Sequence, residues 1–185
     1  MNHKGTVNLE SERLLFRRFE LEDSKHMYEN WASLETVTTY LTWKPHPSEL
    51  ETKEIITLWQ REYRRKDFYQ WAIILKENNE NIGVISVVDS NESISSVTIG
   101  YCLSDLYWNH GYMTEALERV LEFFFEEVDV NRVESKHSIH NPASGRVMQK
   151  SGLIKEGVLK QGDMSNIGLS DLVVYGLVKE DYKKL

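Results

Sequence analysis

The sequence predicts an α+β fold with a mixed sheet. Strand-like runs come first as a meander, two of them joined by a short polar turn. Later strands alternate with strongly periodic helices. No repeat, low-complexity tract or Pro/Gly-rich linker divides the 185 residues, so residues 1–185 read as a single domain.

Each element has a local reason. "RLLFRRF" (Arg13 to Phe19) reads as the first strand. Glu22 to Ser33 reads as a helix, with Met27, Trp31 and Leu34 near one face. Glu49 to Arg65 reads as a second helix: Ile55, Ile56, Leu58, Trp59 and Tyr63 make a broad apolar face, and cations gather at its end. Tyr69 to Lys76 and Ile82 to Asp89 are strands joined by the turn "ENNEN", hence a hairpin. Ser96 to Ser104 is the next strand, with Gly100 marking a bulge. Met113, Ala116, Leu117, Val120, Leu121 and Phe124 then fall on one helical face. Arg132 to His140 alternates as a strand. "NPASGRVMQKSG" is a punctuated short helix: Asn141 as N-cap, Pro142 at the first turn, Gly152 past the C-cap. "EGVLKQG" and "LSDLVVYGLV" close the chain as two strands.

Composition bounds the function. The net charge is −7 and the pI about 5.4, which argues against nucleic acid as a partner. No apolar run reaches membrane-spanning length, and the start lacks the apolar core of a secretory signal. A single cysteine, Cys102, forms no internal disulfide, so a cytoplasmic location with no membrane partner is expected. The histidines are scattered without a metal-ligand spacing, so no metal is expected.

The most informative stretch is "GYCLSDLYWNHGYMTEAL". A strand ends, a turn carries a glycine, and a helix begins with no acidic residue before Glu115. Unpaired backbone N–H groups and the positive end of the helix dipole make such a start a place for an anion.

"IGYCLSDLYWNHGYMTEAL", followed by "NPASGRVMQKSGLIKEG", resembles the GNAT superfamily of acyl-CoA-dependent N-acetyltransferases. The opening "LESERLLFRRFELEDS" and the closing "DLVVYGLVKEDY" resemble its Rim-type branch, which acetylates N-terminal α-amines of ribosomal proteins. The resemblance implies a mostly antiparallel sheet splayed between its fourth and fifth strands, with helices on both faces. It implies acetyl-CoA as cosubstrate. The pyrophosphate would lie on the N–H groups of Asn109, His110, Gly111, Tyr112, Met113 and Thr114. Asn109 stands where the branch often has Gly, and Met113 where it often has Ala. Pantetheine would run along Tyr101, Cys102 and Leu103, with an N–H near Leu103 meeting the acyl oxygen. Asn141 would contact the cofactor, and Ser144 would sit near the sulfur as proton donor. Cys102 reads as a packing residue rather than a nucleophile.

The expected reaction is direct attack of a primary amine on the thioester. At pH 7, deprotonating an α-amine costs roughly 1 kcal/mol and a lysine roughly 4.6 kcal/mol, so an α-amine needs only a weak base. Many relatives carry a glutamate in the strand before the "GY" pair; this chain has Thr98, which is no base. Asp171 resembles an acidic position of the branch suited to orienting the acceptor. The segment Thr39 to Ser48 is expected on the acceptor side, whereas Trp31, Trp43, Trp59 and Tyr63 read first as core. The acceptor is expected to be a protein N-terminus. A small amine, such as a polyamine, amino acid or aminoglycoside, is the alternative, and a non-catalytic acyl-CoA-binding regulator is the third. Exposed aromatics leave a homodimer open.

Overall fold

The computed structural model describes residues 1–184. Eight strands form one sheet in the order β1-β2-β3-β4-β5-β6-β8-β7. They are β1 (Leu9–Glu10), β2 (Leu14–Arg17), β3 (Gln70–Leu75), β4 (Glu80–Asn91), β5 (Ser96–Leu103), β6 (Arg132–Ser138), β7 (Ile154–Ser165) and β8 (Gly168–Val178). All neighbours are antiparallel except β5 and β6. The predicted hairpin is β3–β4. The two-residue β1, too short for any periodicity, renumbers the strands but leaves the predicted pair in place.

Strand alternation sends side chains to two cores. Trp71, Ile73 and Leu75 of β3 join one cluster with Ile85, Val97, Ile99 and Val133. It packs under α4 (Tyr112–Glu122), and α5 (Pro142–Lys150) adds Met148 to it. Ala72 and Ile74 point the other way, to Phe19, Met27, Trp31 and Ile56. That face is covered by α1 (Ser24–Met27), α2 (Glu35–Thr38) and α3 (Glu49–Glu62). Burial on both faces explains why "WAIIL" is apolar without alternation.

Three local departures from the sequence reading have physical causes. The segment read as one helix over Glu22 to Ser33 is a 3₁₀ turn (Leu21–Asp23), the single turn α1, and a widened π turn (Tyr28–Ala32). Widening lets Trp31 and Ala32 both reach the core beside Met27. The same device follows α4: Phe123, Phe124 and Phe125 are all buried in a π turn (Phe123–Val128), with Phe125 stacked on Tyr182. On α3 only Ile56 and the following Tyr63 of the predicted apolar face are buried, while Leu58 is exposed.

The bulge expected at Gly100 belongs to its partner strand. Gly100 pairs with Ser86 in register, and the extra residue is Val88, between Val87↔Ile99 and Asp89↔Thr98. A Cβ on Gly100 would lie 2.7 Å from the Val88 Cγ1, so glycine makes room for the bulge. A second bulge leaves Ile82 unpaired between Gly83 and Asn81. There the buried Asn81 accepts from Trp31 Nε1 at 2.7 Å and donates to Gly83 O at 3.1 Å.

Asn81 therefore ties the helical layer to the irregular strand. Asn81→Ala strands a buried indole N–H, and we expect it to lower unfolding free energy by about 1–3 kcal/mol in urea denaturation, with Trp31→Phe partly offsetting the loss in the double variant.

Candidate active site

Strands β5 and β6 pair only from Ser96↔Arg132 to Ile99↔Ser135 and then part. At the parting, Ser135 Oγ donates to the Ile99 carbonyl at 2.8 Å. Ser104 N donates to Ile82 on the β4 side at 2.9 Å. Peptide groups alternate along a strand, so the N–H groups of Tyr101 and Leu103 face the opening, as Ile99 does. The opening is the root of a cleft of about 550 Å³.

One wall is the turn before α4. Asn109 (φ 64) and Gly111 (φ 81) are both left-handed. Asparagine tolerates that region better than most residues, which accounts for its standing where relatives often carry glycine. The two left-handed residues flank His110 and shape the turn that leads into α4. Among the described residues, the N–H groups of 109 to 114 have no hydrogen-bond partner; the first intrahelical bond runs from Glu115 N to Gly111 O. Trp108 Nε1 donates to Leu103 O at 2.9 Å, stitching the turn to the end of β5. Met113 packs into the core cluster beneath the helix start.

Glu115, the one acid in the first turn of α4, is engaged elsewhere. It accepts from Ser11 Oγ (2.7 Å), Arg13 N (2.8 Å) and Arg13 Nε (2.7 Å). Burial raises its pKa, but the bonds from Arg13 and Ser11 outweigh burial and hold it below the ordinary 4.5. A lowered carboxylate pKa means that this contact stabilises the fold above about pH 4.5 and is lost as acid protonates Glu115. The same guanidinium donates to His110 O at 3.0 Å and lies 4.3 Å from the centre of the Tyr112 ring. Sequence reading did not find this strap, because its two halves are 102 residues apart.

The facing wall is the start of α5. Asn141 caps it, its Oδ1 accepting from Ser144 N at 3.3 Å. Ser144 Oγ donates to Tyr101 OH at 3.0 Å, and Tyr101 OH donates back to the Ser144 carbonyl at 3.0 Å. Burial pushes the Tyr101 phenol well above its usual range, and the bond from Ser144 offsets part of that. Gly145 is required beneath: a Cβ there would lie 2.5 Å from Nε2 of the buried His137. Arg146 and Lys150, one turn apart, also line the cleft, and neither makes an ion pair among the described residues.

Thr36, Val37, Tyr40 and Leu41 close the far end. The tip of the β7–β8 hairpin holds them: Asn166 Nδ2 donates to Thr38 O (2.9 Å) and Trp43 O (2.7 Å), and Asn166 N to Leu41 O (3.1 Å).

Tyr101, Cys102, Leu103, Asn109, Gly111, Tyr112, Met113, Thr114, Asn141 and Ser144 all line this cleft. His110 does not: its ring stacks outward on Tyr112. Burial raises the Cys102 thiol pKa far above its usual range, so it packs as a neutral side chain. Trp31, Trp43, Trp59 and Tyr63 are outside the lining, as their core reading expects. Asp171 is outside it too, bound to Lys160 Nζ at 2.8 Å. Glu134 pairs with Thr98 across β5–β6 and is bound to Arg132, so no carboxylate replaces the missing glutamate. No Asp or Glu lines the cleft among the described residues.

Parted strands running into an N–H-lined helix start, with cations opposite, define an acyl-CoA-dependent acyltransferase. The sequence matches the acetyltransferase (GNAT) domain over residues 13–154, and the chain belongs to that family. It is 27% identical over 174 residues to an uncharacterized N-acetyltransferase, p20, of Bacillus licheniformis, covering 94% of this chain and 97% of the relative. Its fold is similar to the crystal structure of a GNAT acetyltransferase from Bacillus anthracis: TM-score 0.82, 25% identity, 94% of this chain and 99% of the other. A ribosomal L7/L12 α-N-protein acetyltransferase, solved in complex with coenzyme A, superposes with TM-score 0.82 at 21% identity, over 93% of this chain and 98% of its own. The protein is thus a GNAT N-acetyltransferase that uses acetyl-CoA.

The strap and the glycine can be tested separately. Arg13→Ala frees Glu115 one turn from the anion site; we expect acetyl-CoA to bind about tenfold more weakly by calorimetry, and Glu115→Gln to recover part of the loss. Gly111→Ala forces a Cβ into the left-handed region at about 1–2 kcal/mol, whereas Asn109→Gly leaves affinity unchanged within twofold.

Proposed function

We propose that this enzyme acetylates an α-amine at a protein N-terminus, with a ribosomal protein as the leading acceptor. The observation that carries the reading is the cleft's charge pattern. No carboxylate lines it among the described residues, and its far end is the uncharged set Thr36, Val37, Tyr40 and Leu41. A polyamine or aminoglycoside carries several positive charges and calls for acidic partners. A single α-amine does not, and it sheds its proton at roughly 1 kcal/mol at pH 7 against roughly 4.6 for a lysine. The Rim-type resemblance, and the coenzyme A complex of the ribosomal acetyltransferase with the similar fold, support the same assignment.

In this reading the N–H groups of residues 109 to 114 take the pyrophosphate, and Arg146 and Lys150 add the positive charge its phosphates need. Tyr101 and Leu103 offer N–H groups to the pantetheine amides, in the manner of an added strand. The Leu103 N–H polarises the acyl carbonyl as oxyanion donor. Asn141 holds the start of α5 in place. Ser144 supplies the proton to the leaving thiol, whose ordinary pKa of about 8.5 asks little of a donor. Its hydroxyl now donates to Tyr101 and must rotate to meet the sulfur. Tyr101, neutral through burial, keeps that hydroxyl oriented between turnovers.

Calorimetry with acetyl-CoA and ADP is the first test: binding that exceeds ADP is expected, and equal binding removes the pantetheine track. Intact-mass assays then compare peptides bearing N-terminal serine or alanine with polyamines and aminoglycosides; the peptides should acquire one acetyl group at the α-amine. Acetylation of the small amines alone would overturn the acceptor assignment. Ser144→Ala should lower kcat about 100-fold with acetyl-CoA affinity kept within about threefold. An unchanged kcat removes the serine from the chemistry.

A further inference from the structure

Acyl transfer to an amine needs a proton acceptor, and among the described residues no carboxylate lines the cleft for the task. The geometry points to His140 as the general base, a deepening of the acyl-CoA reading above and dependent on it. His140 is the only histidine that lines the cleft among the described residues. It stands two residues past the end of β6, beyond the parting of the strands, and precedes the Asn141 cap of α5.

Its backbone is anchored on both sides. Ile139 N donates to Asp171 O of β8 at 2.9 Å, and His140 N reaches Ser138 Oγ at 3.3 Å. The side chain is exposed, and among the described residues its ring makes no hydrogen bond. Both nitrogens are therefore available to a substrate. The other imidazoles with known partners are committed: His3 to Tyr69 and Glu92, His46 to Thr52, His137 to the Ser138 carbonyl beneath Gly145. The Asp171 carboxylate is held low first by Lys160, then by the Gln161 N–H, and charge on His140 adds to this.

The proton count closes with one histidine. The acceptor arrives as an ammonium with three protons. His140 takes the first and passes it to solvent, which its exposure permits. The amine nitrogen then bonds to the acyl carbon. His140 takes the second proton from nitrogen as the C–S bond breaks, while the Ser144 hydroxyl protonates the sulfur and is refilled from solvent. The third proton stays on the product amide. An α-amine gives up its proton at roughly 1 kcal/mol at pH 7 and a lysine at roughly 4.6, so a base of modest strength serves the first and not the second.

The test compares wild type, H140A and H140Q on a synthetic peptide with N-terminal serine, with acetyl-CoA affinity measured in parallel by calorimetry. We expect kcat to fall about 100-fold in both variants, with the acetyl-CoA Kd unchanged within about twofold, and added imidazole to restore at least tenfold to H140A. The slow hydrolysis of bound acetyl-CoA, with water in place of the amine, should fall in parallel and needs no acceptor. A kcat within about twofold of wild type overturns the assignment, as does a loss that imidazole leaves untouched. Failure of the wild type to bind acetyl-CoA overturns the underlying cleft reading instead, and calorimetry reports that separately.

Discussion

Two parallel strands that cease to pair after Ile99 and Ser135 govern the rest of this molecule. Had β5 and β6 continued in register, the N–H groups of Tyr101 and Leu103 would be consumed by the sheet and the cleft would close. Their parting is stabilised at its root, where the Ser135 hydroxyl occupies the Ile99 carbonyl. It is propped beyond the root by α5, whose Ser144 exchanges two hydrogen bonds with Tyr101 and whose Gly145 rests on His137. Unpaired strand edges are normally a hazard. Here the edges face each other across the cleft, where a chain with amide groups would complete both, as proposed for pantetheine.

The second constraint is electrostatic. A chain with net charge −7 must bind a highly anionic cosubstrate. Among the described residues its acids are kept out of the cleft lining. Glu115, the nearest carboxylate to the helix start, is folded back into three bonds from Ser11 and Arg13. Asp105 is held by Thr36 at 2.6 Å, and Asp171 by Lys160. Arg146 and Lys150, which make no ion pair among the described residues, and the N–H groups of the turn are then left to set the potential in the cleft. Local arrangement outweighs net charge because screening confines each charge to about 8–10 Å at physiological salt.

What could be read beforehand follows from how far each signal reaches along the chain. The α4 periodicity, the Asn141–Pro142–Gly152 punctuation and the β3–β4 hairpin are local, and each element stands within a few residues of its predicted place. The turn at Asn109–Gly111 was legible because positive φ leaves a mark in residue choice. The π turns were not, since they depend on which core a helix must fill: three consecutive phenylalanines signal burial without saying how the backbone widens. The bulge was assigned to Gly100 because glycine is the visible partner; the extra residue, Val88, carries no mark of its own. Contacts made at a distance were invisible for the same reason, among them the Arg13–Glu115 strap, the Asn166 grip on Leu41 and the Tyr101–Ser144 pair.

Threonine at position 98 illustrates the limit most directly. Read against relatives, it registers only as a missing glutamate and raises the question of whether turnover survives. In the fold, Thr98 lies in the paired half of β5, opposite Asp89 and Glu134, before the strands diverge. The one imidazole that lines the cleft among the described residues, that of His140, is exposed just past the end of the neighbouring strand. A base at the rim exchanges protons with water easily and meets an acceptor as it enters. It suits an α-amine, whose proton is weakly held, and is a poor match for a lysine, whose proton demands a buried and stronger partner. A substrate that costs roughly 1 kcal/mol to deprotonate at pH 7 lets an enzyme dispense with a carboxylate in its core, which ties the threonine at position 98 to the α-amine proposed as acceptor.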